Sequence, residues 1–263
     1  MGGATQRRKS KQALLRDNPF CIFCGGTKRA TTIEHCPPRI MFRGKQRPHE
    51  LVFSSCAQCN SGTRRSDLVA SLLGRVYPDG TGLDSADLKK VLQAVSNNVP
   101  GLLQEMMLSD AEHLAAKMPI GWALRANGPI LTSHILTFGA KLGLALHFAH
   151  HQRPVPTSGG VMPIWFSNVQ AGRGEIPPEL LAMLPAPRTM TQGKKHVGDQ
   201  VQYSWTTTDQ RHHTLLYATF RQSFAIAATT ADDRTKFLDK WSEPSSGFCT
   251  WRNRRPRSCR MTV

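Results

Sequence analysis

Cys21-x2-Cys24 and Cys56-x2-Cys59 constrain this 263-residue chain more than any other feature. Two such pairs supply four thiolates, the number a tetrahedral structural zinc takes, so the segments carrying them must converge on one point. Between the pairs lies Glu34-His35, and Asn60 follows the last cysteine directly. A carboxylate, an imidazole and an amide are the groups that hold a second, hard ion through oxygen and activate a water. A clamp on the cysteines draws these three side chains into one neighbourhood.

The charge narrows the class of partner. Lys and Arg number 34 against 18 acids, a formal +16 with a pI near 10.1, which points to a polyanion. Residues 1–67 hold thirteen of these bases and only four acids, Asp17, Glu34, Glu50 and Asp67. The last 14 residues add Arg252, Arg254, Arg255, Arg257 and Arg260 with no acid. Basic termini of this kind are either solvated tails or phosphate contacts. Basic residues inside the cysteine motif are better matched to phosphates.

The seven cysteines are read as metal ligands and free thiols. The first residues are polar and basic and do not resemble a signal peptide, and no uninterrupted apolar run reaches the ~18 residues of a membrane span. A reducing cytoplasm is therefore expected, where Cys-x2-Cys pairs hold metal rather than disulfides. Cys36, Cys249 and Cys259 are left over as thiols.

Along the chain, residues 1–17 read as a basic lead-in with a short helix at Gln12–Arg16. Gly25-Gly26 after Cys24 gives a tight knuckle. Ala30–Ile33 reads as a strand delivering Glu34 and His35, stopped by Pro37-Pro38, and Leu51–Phe53 as a second strand entering Cys56. From about Asn60 the spacing of Asp67, Leu68, Leu72, Leu73 and Val76 is helical. Strand, loop, strand and helix, each with ligands, make a ββα unit over residues 18–79. Helices are expected over Asp84–Asn97, Gly101–Met118 and Ile130–His151, the last apolar on several sides and so buried. Strands are expected over Met162–Val169, Gln200–Thr207 and Thr214–Ala227. Residues 80–245 thus form a helical-then-β-rich domain, followed by a basic tail, 246–263. The fold class is α+β.

Cys21, Cys24, Glu34-His35, Pro37-Pro38, Leu51-Val52, Cys56, Cys59-Asn60 and Arg64-Arg65 together resemble the HNH (ββα-metal) endonuclease family in its four-cysteine, zinc-stabilised form. The likeness covers residues 18–76. It implies that Cys21, Cys24, Cys56 and Cys59 hold a structural zinc and do no chemistry. His35 is implied as the general base that takes a proton from the attacking water, and Glu34 and Asn60 as oxygen ligands of one Mg²⁺ or Mn²⁺. Arg39, Arg64 and Arg65 are the candidates for phosphate contact. Glu34 stands where the family most often has Asp, and Glu50 where it has a middle Asn. The expectation is a phosphodiester hydrolase acting on double-stranded DNA, with residues 80–245 choosing targets, sensing a trigger as in defence against phage, or docking a protein partner. The other reading is a non-catalytic zinc ribbon that binds nucleic acid or a protein. His147, His150 and His151, at helical spacing, are read as surface or helix-end histidines.

Overall fold

The computed structural model describes residues 11–43, 48, 50–76, 86–109, 124–192, 195–207 and 213–235. The expected boundary at 79, residues 110–118 of the helix expected over Gly101–Met118 and the basic tail lie outside these residues; within them that helix ends at Met106. The first ten residues of the lead-in, Cys249 and Cys259 also lie outside them.

A short helix, α1 (11–17), precedes the knuckle. There the chain turns in one 3₁₀ turn, Ile22–Cys24, and leaves through Gly25 and Gly26 at φ +68° and +76°, a backbone that L side chains resist. Strand β1 (Thr32–His35) and strand β2 (Val52–Ser55) pair antiparallel, with Glu34 opposite Phe53 and His35 opposite Val52. Both strands fall within a residue or two of the expected positions, because β-branched and aromatic residues dominate each. The helix expected from Asn60 begins earlier and is broken. Cys56 is the N-cap of α2 (Ala57–Gly62), its sulfur accepting from the Cys59 amide at 3.4 Å, and α3 (Arg64–Leu73) follows after Thr63.

Two shorter helices, α4 (Ala86–Asn98) and α5 (Leu102–Met106), lead to α6 (Pro129–His151). The start of α6 is capped from a distance: Glu105 accepts from the amides of Ile130 and Leu131, each at 2.8 Å, so a carboxylate meets the positive end of the helix. At 23 residues α6 is long and apolar enough to cross a membrane by composition alone. Its packing accounts for that composition, because it is the middle layer of the molecule.

One side of α6 lies on a five-stranded antiparallel sheet in the order β3-β9-β8-β7-β4, built from β3 (Gly160–Ser167), β4 (Arg188–Thr189), β7 (Val201–Thr207), β8 (His213–Phe220) and β9 (Phe224–Ala231). A separate small hairpin pairs β5 (Thr191–Gln192) with β6 (Lys195–His196). Gly139 and Gly143, one turn apart, face this sheet. A Cβ on Gly139 would stand 2.9 Å from Pro163 Cβ, and one on Gly143 would stand 2.7 Å from Val161 Cγ2. About 200° round the helix from Gly139, Lys141 points the other way, toward the hairpin and α3. Phe148, two turns beyond Lys141, meets Phe53 edge-on at 6.2 Å. The result, among the described residues, is three layers with a main apolar core running from Ile22 and Phe53 through Phe138 to Ile226, and a second, small apolar cluster around Phe166, Ala225 and Ala227.

The strand expected over Thr214–Ala227 is two strands, β8 and β9, joined by a tight turn at Arg221 with φ +55°. Nothing in Arg221-Gln222-Ser223 carries a Gly, Pro or Asn turn signal, which is why the apolar pattern reads through it. The strand expected to reach Val169 stops at Ser167, which N-caps α7 (Asn168–Gly172) in a capping box with Gln170. A further short helix, α8 (Pro178–Ala182), lies beyond it.

The close approach of α6 to the sheet makes an opposite-signed pair of substitutions. Gly143→Val should lower Tm by the equivalent of about 1–3 kcal/mol of overpacking, although Val is a better helix former than Gly. Gly172→Ala, where a Cβ would meet nothing within 4 Å, should leave Tm unchanged or slightly raised. Thermal melts followed by circular dichroism measure both.

Candidate metal and catalytic site

The knuckle and the start of α2 bring Cys21, Cys24, Cys56 and Cys59 together, with all four sulfurs within 4.8 Å of one another. This arrangement can hold a metal such as zinc, and the chemistry of the donors agrees with it. The Cys59 thiol hydrogen-bonds to Cys21, and this drops the Cys21 thiol to about 4 and pushes the Cys59 thiol well above the ordinary thiol range. Four sulfurs packed this closely cannot all ionise unless a cation shares their charge.

The same helix start carries Asn60. Its Nδ2 donates to the Ile33 carbonyl at 3.0 Å and to Thr32 Oγ1 at 3.2 Å, so the amide lies on β1 immediately beside Glu34. The Ile33 carbonyl can only accept, which fixes Asn60 with its nitrogen to the strand and Oδ1 on the other side. Oδ1 makes no hydrogen bond among the described residues. Strand alternation sets Thr32 and Glu34 on one face of β1 and His35 on the other, at the strand end. His35 is half-buried, and its Nδ1 is withdrawn from solvent.

Glu34 lies in an environment the sequence reading did not anticipate. It is buried, and Oε1 accepts from Lys141 Nζ at 2.8 Å. The same ammonium reaches Asp67 Oδ2 on α3 at 2.7 Å. Lys141 is 1% exposed. Burial alone would lower its proton affinity, but Asp67, Cys36 and Glu34 outweigh that and raise it, so it is charged. Burial pushes Asp67 up to about 6, against the pull of Lys141. The second oxygen of Glu34, Oε2, makes no hydrogen bond among the described residues. Lys141 and Asp67 were both missed as site residues. The signal for one was present: a lone lysine inside Phe138–Leu146, an otherwise apolar stretch of a helix read as buried, demands a carboxylate partner.

Arg39, Arg64 and Arg65 are all exposed, as are Lys28 and Arg29 on the knuckle, so the five cations stand on the outside of the cysteine-bearing segment. The histidines near the end of α6 do not all lie on the surface. His147 is buried with Nδ1 2.9 Å from Thr230 Oγ1, His151 Nε2 lies 2.7 Å from Thr214 Oγ1, and His150 stacks on Trp205 at 3.7 Å between ring centroids. They act as packing groups between α6 and the sheet. Among the described residues, the four cysteines are the only cluster with three or more ligand atoms in reach of one ion.

Removal of metal should unfold the knuckle. One zinc per chain is expected by elemental analysis, and strong chelation or Cys59→Ser should lower Tm by at least about 10 °C, given the large share of folding free energy that structural zinc supplies. His147 gives an acid limb. Burial lowers its pKa from 6.5 to about 4, so the neutral ring stabilises the fold fully above pH 6.5, and that contribution is lost as pH falls from 6.5 to 4. His147→Gln should flatten this part of the Tm–pH curve relative to the parent.

No protein-family model matches the chain, and no curated protein or solved structure matches it.

Proposed function

We propose that the chain is a metal-dependent endonuclease of the HNH type that hydrolyses phosphodiester bonds in DNA. The observation that carries this reading is the Asn60 side chain. The helix that delivers Cys59 to the thiol cluster also lays Asn60 against β1 one residue before Glu34, with its Oδ1 pointing away from the strand. The two bonds from Nδ2 tie α2 to β1 and leave the amide oxygen as the end available to an ion.

In this reading Glu34 Oε2 and Asn60 Oδ1 are the protein oxygens available to a hard divalent ion, each belonging to a group whose other end is already tied. Such an ion supplies charge neutralisation at the scissile phosphate and the leaving 3′-oxygen. His35 is the last residue of β1, and in this reading its imidazole swings at the strand end to the Glu34 side to take the proton from the attacking water. Its backbone is held on both sides, by the pairing of β1 with β2 and by the Cys36 amide on the Leu51 carbonyl at 3.2 Å. The product ends would be a 5′-phosphate and a 3′-hydroxyl. Arg39, Arg64 and Arg65 steer the phosphate backbone, and binding should fall steeply with salt.

Supercoiled plasmid provides the test. Nicking or linearisation is expected in Mg²⁺ or Mn²⁺, to be abolished by EDTA, and to fall at least about 100-fold in His35→Ala and in Asn60→Ala. Equal cleavage by His35→Ala would rule out its role as base. DNA binding without cleavage, unaffected by replacing Glu34, His35 or Asn60, would favour the non-catalytic ribbon.

A further inference from the structure

We propose that Lys141, on the central helix α6, is a positioning residue for the hard-ion site: its ammonium holds Glu34 by Oε1 and so aims Oε2 alongside Asn60 Oδ1. The proposal rests on the nuclease reading above and extends it to a residue 107 positions away in the chain.

The geometry is specific. A glutamate side chain has three rotatable bonds, and at the end of a four-residue strand little else fixes them. Here one oxygen is bonded at 2.8 Å to a cation that cannot itself move far, because Lys141 is 1% exposed and is tied at 2.7 Å to Asp67 on a different element. Asp67 is in turn buried in the first turn of α3, where its Oδ1 finds no hydrogen bond among the described residues. The order of support therefore runs from α3 to Asp67, to Lys141, to Glu34. Asn60 is held in parallel by the backbone of β1. Both candidate oxygens are thus fixed by the fold before an ion arrives, which is what a hard-ion site requires for a reproducible geometry.

A lysine in this place also has a cost for the ion, since it sets a positive charge within one carboxylate of it. The effect of removing Lys141 therefore has a sign that decides the matter. If Lys141 positions Glu34, its loss weakens metal binding. If it only competes with the ion or only glues α6 to the hairpin, its loss tightens metal binding or leaves it unchanged.

The test uses the full chain with its zinc retained. Lys141→Met combined with Asp67→Asn removes the ammonium without leaving a second buried carboxylate unpaired, and Lys141→Arg keeps the charge while changing its reach. Mn²⁺ binding is read from loss of the free aquo-ion signal in electron paramagnetic resonance, and cleavage is titrated against Mn²⁺ in parallel. In each variant that retains zinc and a cooperative melt, the half-saturating Mn²⁺ concentration should rise at least tenfold, with the rate at saturating Mn²⁺ falling less than threefold. An unchanged or lower half-saturation in either folded variant overturns the proposal, whatever happens to Tm. A parent protein that neither takes up Mn²⁺ beyond its zinc nor cleaves DNA overturns the nuclease reading and this proposal with it. A parent that cleaves through His35 while the Lys141 variants keep its metal dependence overturns the role of Lys141 alone.

Discussion

An ammonium group in a nearly dry interior has to be surrounded by negative charge, and Lys141 meets that demand by drawing a strand and a helix onto one spot. Desolvating three charged groups is expensive, and a buried pair is only as good as its geometry. Bonds of 2.7 and 2.8 Å to two carboxylates supply that geometry. The consequence is mechanical as much as energetic. α6 presents two glycines to the sheet and one lysine to the hairpin, so the helix can approach closely on one side while making a directional contact on the other. Truncating Lys141 alone would strand two buried carboxylates, a loss on the order of 3–5 kcal/mol for a broken buried pair. The hairpin, the four-cysteine knuckle and the sheet are held together by a helix that carries charge in its middle.

The thiol cluster solves a different problem. β1 and β2 are four residues each, too short to persist as an isolated ribbon in water. A metal held by the four sulfurs would cross-link the knuckle before β1 to the helix after β2 and so fix the register that the ribbon cannot fix for itself. The register matters because alternation along β1 decides what Glu34 and His35 face; a slip of one residue would exchange their sides. The edge-on contacts of Phe53 with Phe23 and with Phe148 then bury the hairpin against α6 on the side that carries Glu34.

Most of this was legible where a residue type has one dominant use. Paired cysteines at short spacing, a glycine pair after a knuckle, and β-branched runs before a proline each specify local structure with little help from context. The strands at 32–35 and 52–55 and the helix at 129–151 follow from such signals. What the sequence did not disclose was set by tertiary partners. Glu34 was read by its type and its neighbour as facing an ion alone, whereas it faces an ammonium supplied from α6. Asp67 was read as part of a helical period, and its burial depends on what lies across from it. The turn at Arg221 has no composition to mark it; the chain adopts a left-handed φ there because the two apolar runs on either side pair with each other. The Ser-x-x-Gln box at Ser167–Gln170 was a readable sign that the strand must stop, obscured by the apolar residues that precede it.

The electrostatics of the site and of the surface act in opposite directions, and the contrast bears on how a nuclease of this design would work. Inside, two carboxylates share one ammonium, leaving the neighbourhood of Glu34 with an excess of negative charge when both are ionised. Outside, Lys28, Arg29, Arg39, Arg64 and Arg65 are exposed on the same segment. Exposed cations attract a polyanion from a distance of about a Debye length, roughly 8 Å at physiological ionic strength, but discriminate poorly among phosphates. The negative interior does the reverse: it favours a divalent cation and repels a bare phosphate. On the proposed reading, a phosphate drawn in by the outer arginines would therefore be accepted beside Glu34 only when a divalent ion lies between them. Metal dependence would then follow from charge balance at Glu34 as well as from the chemistry of the leaving oxygen, and the ammonium of Lys141 would set how large that imbalance is.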